Sequence, residues 1–382
     1  MSIKPGCHAF IPFRSEKAKG FLLTNLFYNI YLKIFNMKHA VITSVLIFLL
    51  QFTYSQEKVN DSFNFKFTEI NIPYKSELRA ISAINENTIW ASGSEGMVFL
   101  TTDGGENWNE FSIPGCEETE FRSLHAWDSI QALVFDVSPL GRGYMTLDGG
   151  KTWQIVYESP KKGAFFNSLK FADDLNGIAI SDPIDDESFI IKTIDGGKNW
   201  IRIENTPAPA EGEINFAASN TCVEYLKSGK IFIVTGGSEA RMLTSFDAGN
   251  TWEFISTPMT YRDSKGIYSV NFISDKIGAA VGGSFQYPKA QIIRSIYTKD
   301  GGKTWKASKL FPKEYRSCVV NVKGKILFTI SKTGCDYSTD NGKNWTFINS
   351  NGYYAADALE GTNIIFVSGS EGRFAKVVVK KE

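Results

Sequence analysis

From residue 61 onward the chain alternates short apolar runs with brief polar breaks, and no stretch sustains a 3.6-residue apolar period. One unit reads Leu78–Ile84, Thr88–Ser92, Met97–Thr101 and Trp108–Ile113, four runs rich in β-branched and aromatic residues. Asn-, Gly- and Ser-rich breaks separate them, so the pattern predicts a meander of four short antiparallel strands. A fixed phrase, Asp-x-Gly-x-Thr/Asn-Trp, marks each unit. Its copies are Asp103 to Trp108, Asp148 to Trp153, Asp195 to Trp200, Asp247 to Trp252, Asp300 to Trp305 and Asp340 to Trp345. Successive aspartates lie 45, 47, 52, 53 and 40 residues apart. That period, filled with short strands, predicts an all-β chain folded as a β-propeller of four-stranded blades.

The phrase falls between the third and fourth runs, where it closes a hairpin. The Asp carboxylate accepts N–H groups across the turn, the glycines supply positive φ, and the Trp opens the outer strand. An identical turn in six units is a fold device, whereas a catalytic or calcium site is normally unique. The six aspartates and six tryptophans are therefore assigned to structure.

Six phrases imply seven blades. After the last, Tyr353–Leu359, Ile364–Ser368 and Arg373–Val379 supply three more strands. The fourth comes from the other end of the chain, where Phe67-Thr68-Glu69-Ile70-Asn71-Ile72-Pro73 matches Trp108-Asn109-Glu110-Phe111-Ser112-Ile113-Pro114 in pattern. An N-terminal strand completing blade 7 would close the ring and remove a free edge. Residues 61–382 then give 46 residues per blade.

Upstream, Met37-Lys38-His39 precedes the apolar run Ala40–Phe52 and Thr53-Tyr54-Ser55. This reads as a signal peptide at 37–55, cleaved after Ser55, with 1–36 an upstream extension and Met37 the initiator. Thirteen apolar residues are short for a bilayer span; an uncleaved anchor including Phe21–Phe35 is the alternative. No cysteine follows the run to carry a lipid, and only Lys380-Lys381-Glu382 follow the last strand. The expected location is periplasmic or extracellular, without a stable membrane anchor.

The whole chain is neutral, but its first 55 residues hold six Lys/Arg and one Glu, leaving 35 basic and 40 acidic side chains downstream. A net of −5 argues against a nucleic-acid partner. Histidine narrows the chemistry further. Of His8, His39 and His125 only the last lies beyond the leader, so neither a multi-histidine metal site nor a conventional triad is expected. His125 reads as a packed ring. Cys116, Cys222, Cys318 and Cys335 are expected to stay unpaired; the last two fall on strands separated by another strand. No metal or cofactor is expected, and a monomer is.

Candidate binding residues gather opposite the repeated turns. Aligned inner strands place Arg79, Arg122 and Arg316 at one position, followed by a small residue suited to a crowded axis. These arginines are expected to ring the mouth of the central channel, with Arg241 and Arg294 in loops at the same end. Arginine suits carboxylates and phosphates. Pairing with neighbouring acids is the competing reading. Long insertions at Asp136–Gly143, Ser181–Ser188 and Gly282–Gln291, with connectors at 205–213 and 256–266, add Asp182, Glu213 and Tyr287 to a rim of acids and aromatics.

The run Leu78-Arg79-Ala80-Ile81, Gly93-Ser94-Glu95-Gly96 and Thr101 through Trp108 resembles the photosystem II stability/assembly factor propellers. The repeated phrase is similar to the Asp-box, or bacterial neuraminidase repeat, also found in sialidases and xyloglucan-active hydrolases. The resemblance covers residues 61–382 and rests mostly on turn and core positions, so it is specific for fold more than for function. It implies an exported module that docks a protein partner or anionic ligand through the arginine-lined face, or aids assembly. The alternative is a sialidase- or xyloglucanase-like glycoside hydrolase, for which Arg79, Arg241 and Arg294 would clamp a carboxylate beside Tyr287 and Glu213. The Arg-Ile-Pro start of sialidases is missing; Phe121-Arg122-Ser123-Leu124 departs from it and lies in another blade. The oxidoreductase label carried by some relatives finds no Gly-x-Gly-x-x-Gly or Cys-x-x-Cys support.

Overall fold

The computed structural model describes residues 27–39 and 62–382. Residues 27–39 form an exposed helix within a unit of their own. No helix among the described residues is long and apolar enough to cross a membrane. Most of the expected signal peptide, and residues 1–26 of the expected extension, lie outside the described residues.

Residues 62–382 build seven antiparallel sheets, one per repeat, in meander order. The inner strands are Ala80–Ala83, Phe121–Ala126, Phe166–Phe171, Val223–Tyr225, Lys265–Phe272, Cys318–Val322 and Ala355–Ala358. Six sheets have four strands; the blade 5 sheet gains a ribbon of Glu213–Ile214 and Gly236–Gly237 that joins it at Gly266. The seventh blade closes as the sequence predicts. Phe63–Asn71 pairs with Arg373–Lys381 along nine residues, from Phe63 opposite Lys381 to Asn71 opposite Arg373. Inside, Phe65 stacks on Phe328 of blade 6 at 5.7 Å, so the first strand also seals an inter-blade seam.

The repeated turn has a fuller chemistry than its phrase. In blade 1 the Thr101 hydroxyl, two residues upstream, donates to Asp103 Oδ1 at 2.8 Å and accepts the Gly105 N–H at 2.9 Å. Asp103 also accepts the Asn107 N–H and side-chain amide. Thr146, Thr193, Ser245, Thr298 and Ser338 repeat the hydroxyl's part. The second box glycine has two duties. Gly150 sits at φ 89°, and a Cβ there would lie 2.6 Å from the Phe111 ring of the preceding blade. Trp153, Trp200, Trp252 and Trp305 donate their indole N–H to the same glycine's carbonyl. Trp200 then packs edge-on against Phe135 of blade 2 at 5.2 Å.

Two expectations need correction. The 181–188 segment is a hairpin extension of strands Gly177–Ile184 and Glu187–Thr193, not a loose insertion. Asp185 and Asp186 turn it with φ of 53° and 61°, the paired positive φ that a two-residue hairpin loop requires. Blade 4 departs most: its inner strand is only Val223–Tyr225, and the residues before it leave the sheet for the ring axis.

Removing residues 62–71 should lower the melting temperature sharply and promote association, because the Arg373–Lys381 strand would become an exposed edge; differential scanning fluorimetry with light scattering reads both. Trp200→Ala should cost about 3–5 kcal/mol in chemical denaturation. The boxes also predict an acid limit. Turn hydrogen bonds lower Asp103, Asp148 and Asp247 from 3.8 to about 2, chiefly through the Asn107 N–H and the Thr152 and Thr251 hydroxyls. These carboxylates contribute fully above about pH 4 and lose their contribution as pH falls toward about 2. Melting temperature against pH should therefore drop through that window, and Thr152→Ala with Thr251→Ala should make the drop shallower.

Candidate functional site

Blade 4 supplies the feature that organises the channel. Between Asn215 and Thr221 the chain crosses the axis and bonds to four other blades. Arg122 of blade 2 donates to the Ala217 carbonyl at 3.3 Å, and Asn220 Nδ2 donates to the Leu124 carbonyl at 2.8 Å. Asn220 Oδ1 accepts the Leu169 N–H of blade 3. The Ser219 hydroxyl donates to the Ser317 carbonyl of blade 6, and the Thr221 carbonyl accepts the Val270 N–H of blade 5. Small side chains fit a crowded axis, and Asn220 tolerates the φ of 61° that the crossing demands. The segment is a plug, with one cavity on each side.

The cavity at the strand-entry end, opposite the Asp-boxes, has a volume of about 290 Å³. Ala217 and Ala218 of the plug line it, together with Arg79, Arg122 and Lys332. Five aromatic rings, Phe216, Tyr268, Tyr315, Tyr354 and Phe285, and Ser317 complete its walls. Phe216 and Tyr268 lie parallel with ring centres 3.9 Å apart. The Arg79 guanidinium sits 4.1 Å over Tyr354, which orients it without consuming its donors. Among the described residues it pairs with Glu77 at 3.9 Å, and its Nε has no acceptor. Arg122 is more committed, bonded to Glu120 at 2.6 Å and to the plug. Lys332 is exposed on the blade 6 turn, 5.9 Å from the Phe285 ring.

Arg316, aligned with Arg79 and Arg122 by sequence, shares neither their register nor their surroundings: it stands two residues before the inner strand Cys318–Val322, whereas Arg79 directly precedes its strand and Arg122 lies within its own. It is fully buried and pairs with Asp336 at 2.6 Å, while donating to the Tyr315 carbonyl and the Thr333 hydroxyl. It is a strut within blade 6, so the expected three-arginine mouth is held by Arg79 and Arg122 with Lys332. Arg294 is also buried, spent on the carbonyls of Pro312, Ala290 and Lys313. Arg241 ion-pairs with buried Glu213 and lies 3.7 Å over Phe254. Glu213 additionally accepts the Thr235 hydroxyl and the Ala210 N–H. Asp182 accepts the Asn215 N–H and the Asn167 amide, and burial pushes it up to about 6. The cavity beside Glu213 is about 20 Å³, room for a water and not for a sugar ring. Tyr287 is exposed on the 282–291 loop outside the arginine cavity. The offered clamp of Arg79, Arg241 and Arg294 is thus not brought together.

His125 lies at the other end of the channel, stacked on Phe171 at 4.5 Å and edge-on to Trp127, and burial pushes it down to about 3. All four cysteines of the propeller are free and buried. Cys318 and Cys335 lie on the inner and third strands of blade 6, as read from the sequence.

The Arg316–Asp336 pair generates a prediction. Arg316→Met strands a buried carboxylate and should destabilise the protein by about 3–5 kcal/mol, while Arg316→Met with Asp336→Leu should recover most of the loss. Urea denaturation of the three proteins measures it; equal stability of the single variant and the parent would return Arg316 to the solvent-facing set.

Comparisons with known proteins agree with this architecture. The model of the BNR/Asp-box repeat matches residues 296–307. No curated protein matches the sequence. Among solved structures, YCF48 bound to a D1 peptide is similar with a TM-score of 0.58 at 15% identity, over 82% of this chain and 96% of that one. YCF48 from Cyanidioschyzon merolae gives 0.56 at 17% identity, covering 81% and 98%. The GH74 xyloglucanase from Xanthomonas campestris gives 0.57 at 11% identity, over 82% of this chain and 53% of the enzyme. The chain is a seven-bladed β-propeller with Asp-box repeats that shares the fold of the YCF48 structures.

Proposed function

We propose that this propeller is a protein-binding module, exported from the cytoplasm, that captures an extended segment of a partner at its strand-entry face. The observation that carries the reading is the cavity in which Arg79 and Arg122 meet five aromatic walls. Two guanidiniums held over a floor of Ala217 and Ala218 favour a carboxylate through charge-assisted bonds, and the aromatic rings offer apolar contact to flanking side chains. Arg79 suits the role of anchor, because its Nε has no acceptor among the described residues. The partner chemistry is an acidic or carboxylate-ended peptide. That a YCF48 propeller is described bound to a D1 peptide supports a peptide at such a fold. The hydrolase alternative has less behind it, since Asp182 and Glu213 spend their oxygens on neighbouring groups.

Fluorescence anisotropy with labelled acidic peptides, carrying free or amidated C-termini, tests the proposal. Arg79→Gln with Arg122→Gln should weaken binding about tenfold or more, as expected for losing charge-assisted hydrogen bonds, with the melting temperature nearly unchanged. Parent affinity should fall as salt rises, because partly exposed charges are screened. Undiminished affinity in a folded double variant would refute the assignment. Sugar release from a chromogenic glycoside panel, lost on Asp182→Asn, would favour the hydrolase.

A further inference from the structure

The plug gives the other half of the channel a closed floor. Ser219, Asn220 and Thr221 form it, and the resulting cup has a volume of about 510 Å³ and opens at the Asp-box end. The penultimate residue of every inner strand lines this cup: Ser82, His125, Lys170, Glu224, Asn271, Asn321 and Asp357. One residue per blade, all seven polar, forms a ring at a single register. Symmetry of the fold creates the ring, but the side chains are all different except two, so the ring has direction.

Part of the ring is already committed. Ser82 accepts the Ala126 N–H, and Lys170 pairs with Glu224 at 3.6 Å. Asn271 Nδ2 donates to Glu224 at 3.0 Å, and His125 is stacked. The arc formed by blades 5, 6 and 7 is different. Asn271 Oδ1 and Asn321 Oδ1 are buried with no donor among the described residues. Beside them, Asp357 is held by the backbone N–H groups of Ala83 and Ala358. Unpaired buried acceptors cost free energy unless a donor arrives. The arc therefore calls for a ligand that donates hydrogen bonds. By formal charge Glu224 and Asp357 outnumber Lys170, with burial raising both carboxyls above the ordinary carboxylate range, and the mouth repeats the bias, with Asp275 and Glu360 against Lys227.

We infer that the Asp-box end of the channel is a second binding site, taking a small organic cation whose protonated amine is received by Asp357, Asn321 and Asn271. The size of the cup separates this from a bare metal ion. A cavity of about 510 Å³ is in the range of small-molecule sites, and the described residues include no group of three His, Cys, Asp or Glu that could hold a metal. The plug separates this cup from the arginine cavity, so one fold would present a cation-selecting end and an anion-selecting end.

Isothermal titration of the propeller with agmatine, cadaverine and N-acetyl-lysine methylamide, with sorbitol and acetate as controls, tests the inference. At least one amine should bind with a Kd of roughly a millimolar or tighter, and neither control should. Asp357→Asn keeps an oxygen for the Ala83 N–H, and should weaken that amine about tenfold or more, the loss expected for one charge-assisted hydrogen bond. Asn321→Ala should weaken it as well, with melting temperatures recording that both variants fold. Absence of binding by all three amines, or equal binding by parent and both folded variants, would show that the cup holds water alone and overturn the proposal.

Discussion

Everything in the propeller depends on a pairing between its first and last strands. Seven wedge-shaped sheets arranged around an axis have no stable partner for the first and last unless the circle is closed. Here closure is a nine-residue antiparallel ladder between Phe63–Asn71 and Arg373–Lys381. It satisfies the edge of blade 7 and places Phe65 against Phe328 of the neighbouring blade. Both the plug and the two cavities presuppose it, since a segment that bonds to blades 2, 3, 5 and 6 at once needs those blades held at fixed positions around one axis.

The architecture was legible because its determinants are local and repeated. Each box carries its own turn chemistry within six residues, and the outer strand of blade 7 could be matched to that of blade 1 by pattern alone. The hydroxyl two residues before each box aspartate was equally readable, as Thr101, Thr146 and Thr193 show, but it lies outside the obvious phrase.

The site was legible only in part. Alignment placed Arg79, Arg122 and Arg316 at one position, and the structure brings only the first two into one cavity. Burial is a different quantity, set by a partner that register does not reveal. Asp336 stands twenty residues after Arg316, on the third strand of the same blade, and turns that arginine into a core ion pair. Glu213 does the same for Arg241. The plug left still less trace. Residues 215–221 have no alternation, and the bonds that tie them to other blades reach residues distant in sequence. The polar ring could have been found from the inner-strand alignment, had it been read one position before each strand end as well as at each strand start.

The closing ladder has a consequence for how the chain comes to exist. A ribosome makes Phe63–Asn71 first and Arg373–Lys381 last, so the first strand of the propeller must wait for nearly the whole sequence before its partner arrives. During that wait it is a nine-residue strand bearing Phe63, Phe65 and Phe67, with nothing to cover its hydrogen-bonding edge. Long-range pairing of this kind is slow, and an uncovered apolar strand is a template for the wrong neighbour. The same ladder that leaves the finished ring without an edge makes the unfinished chain dependent on being kept apart from its copies until synthesis ends.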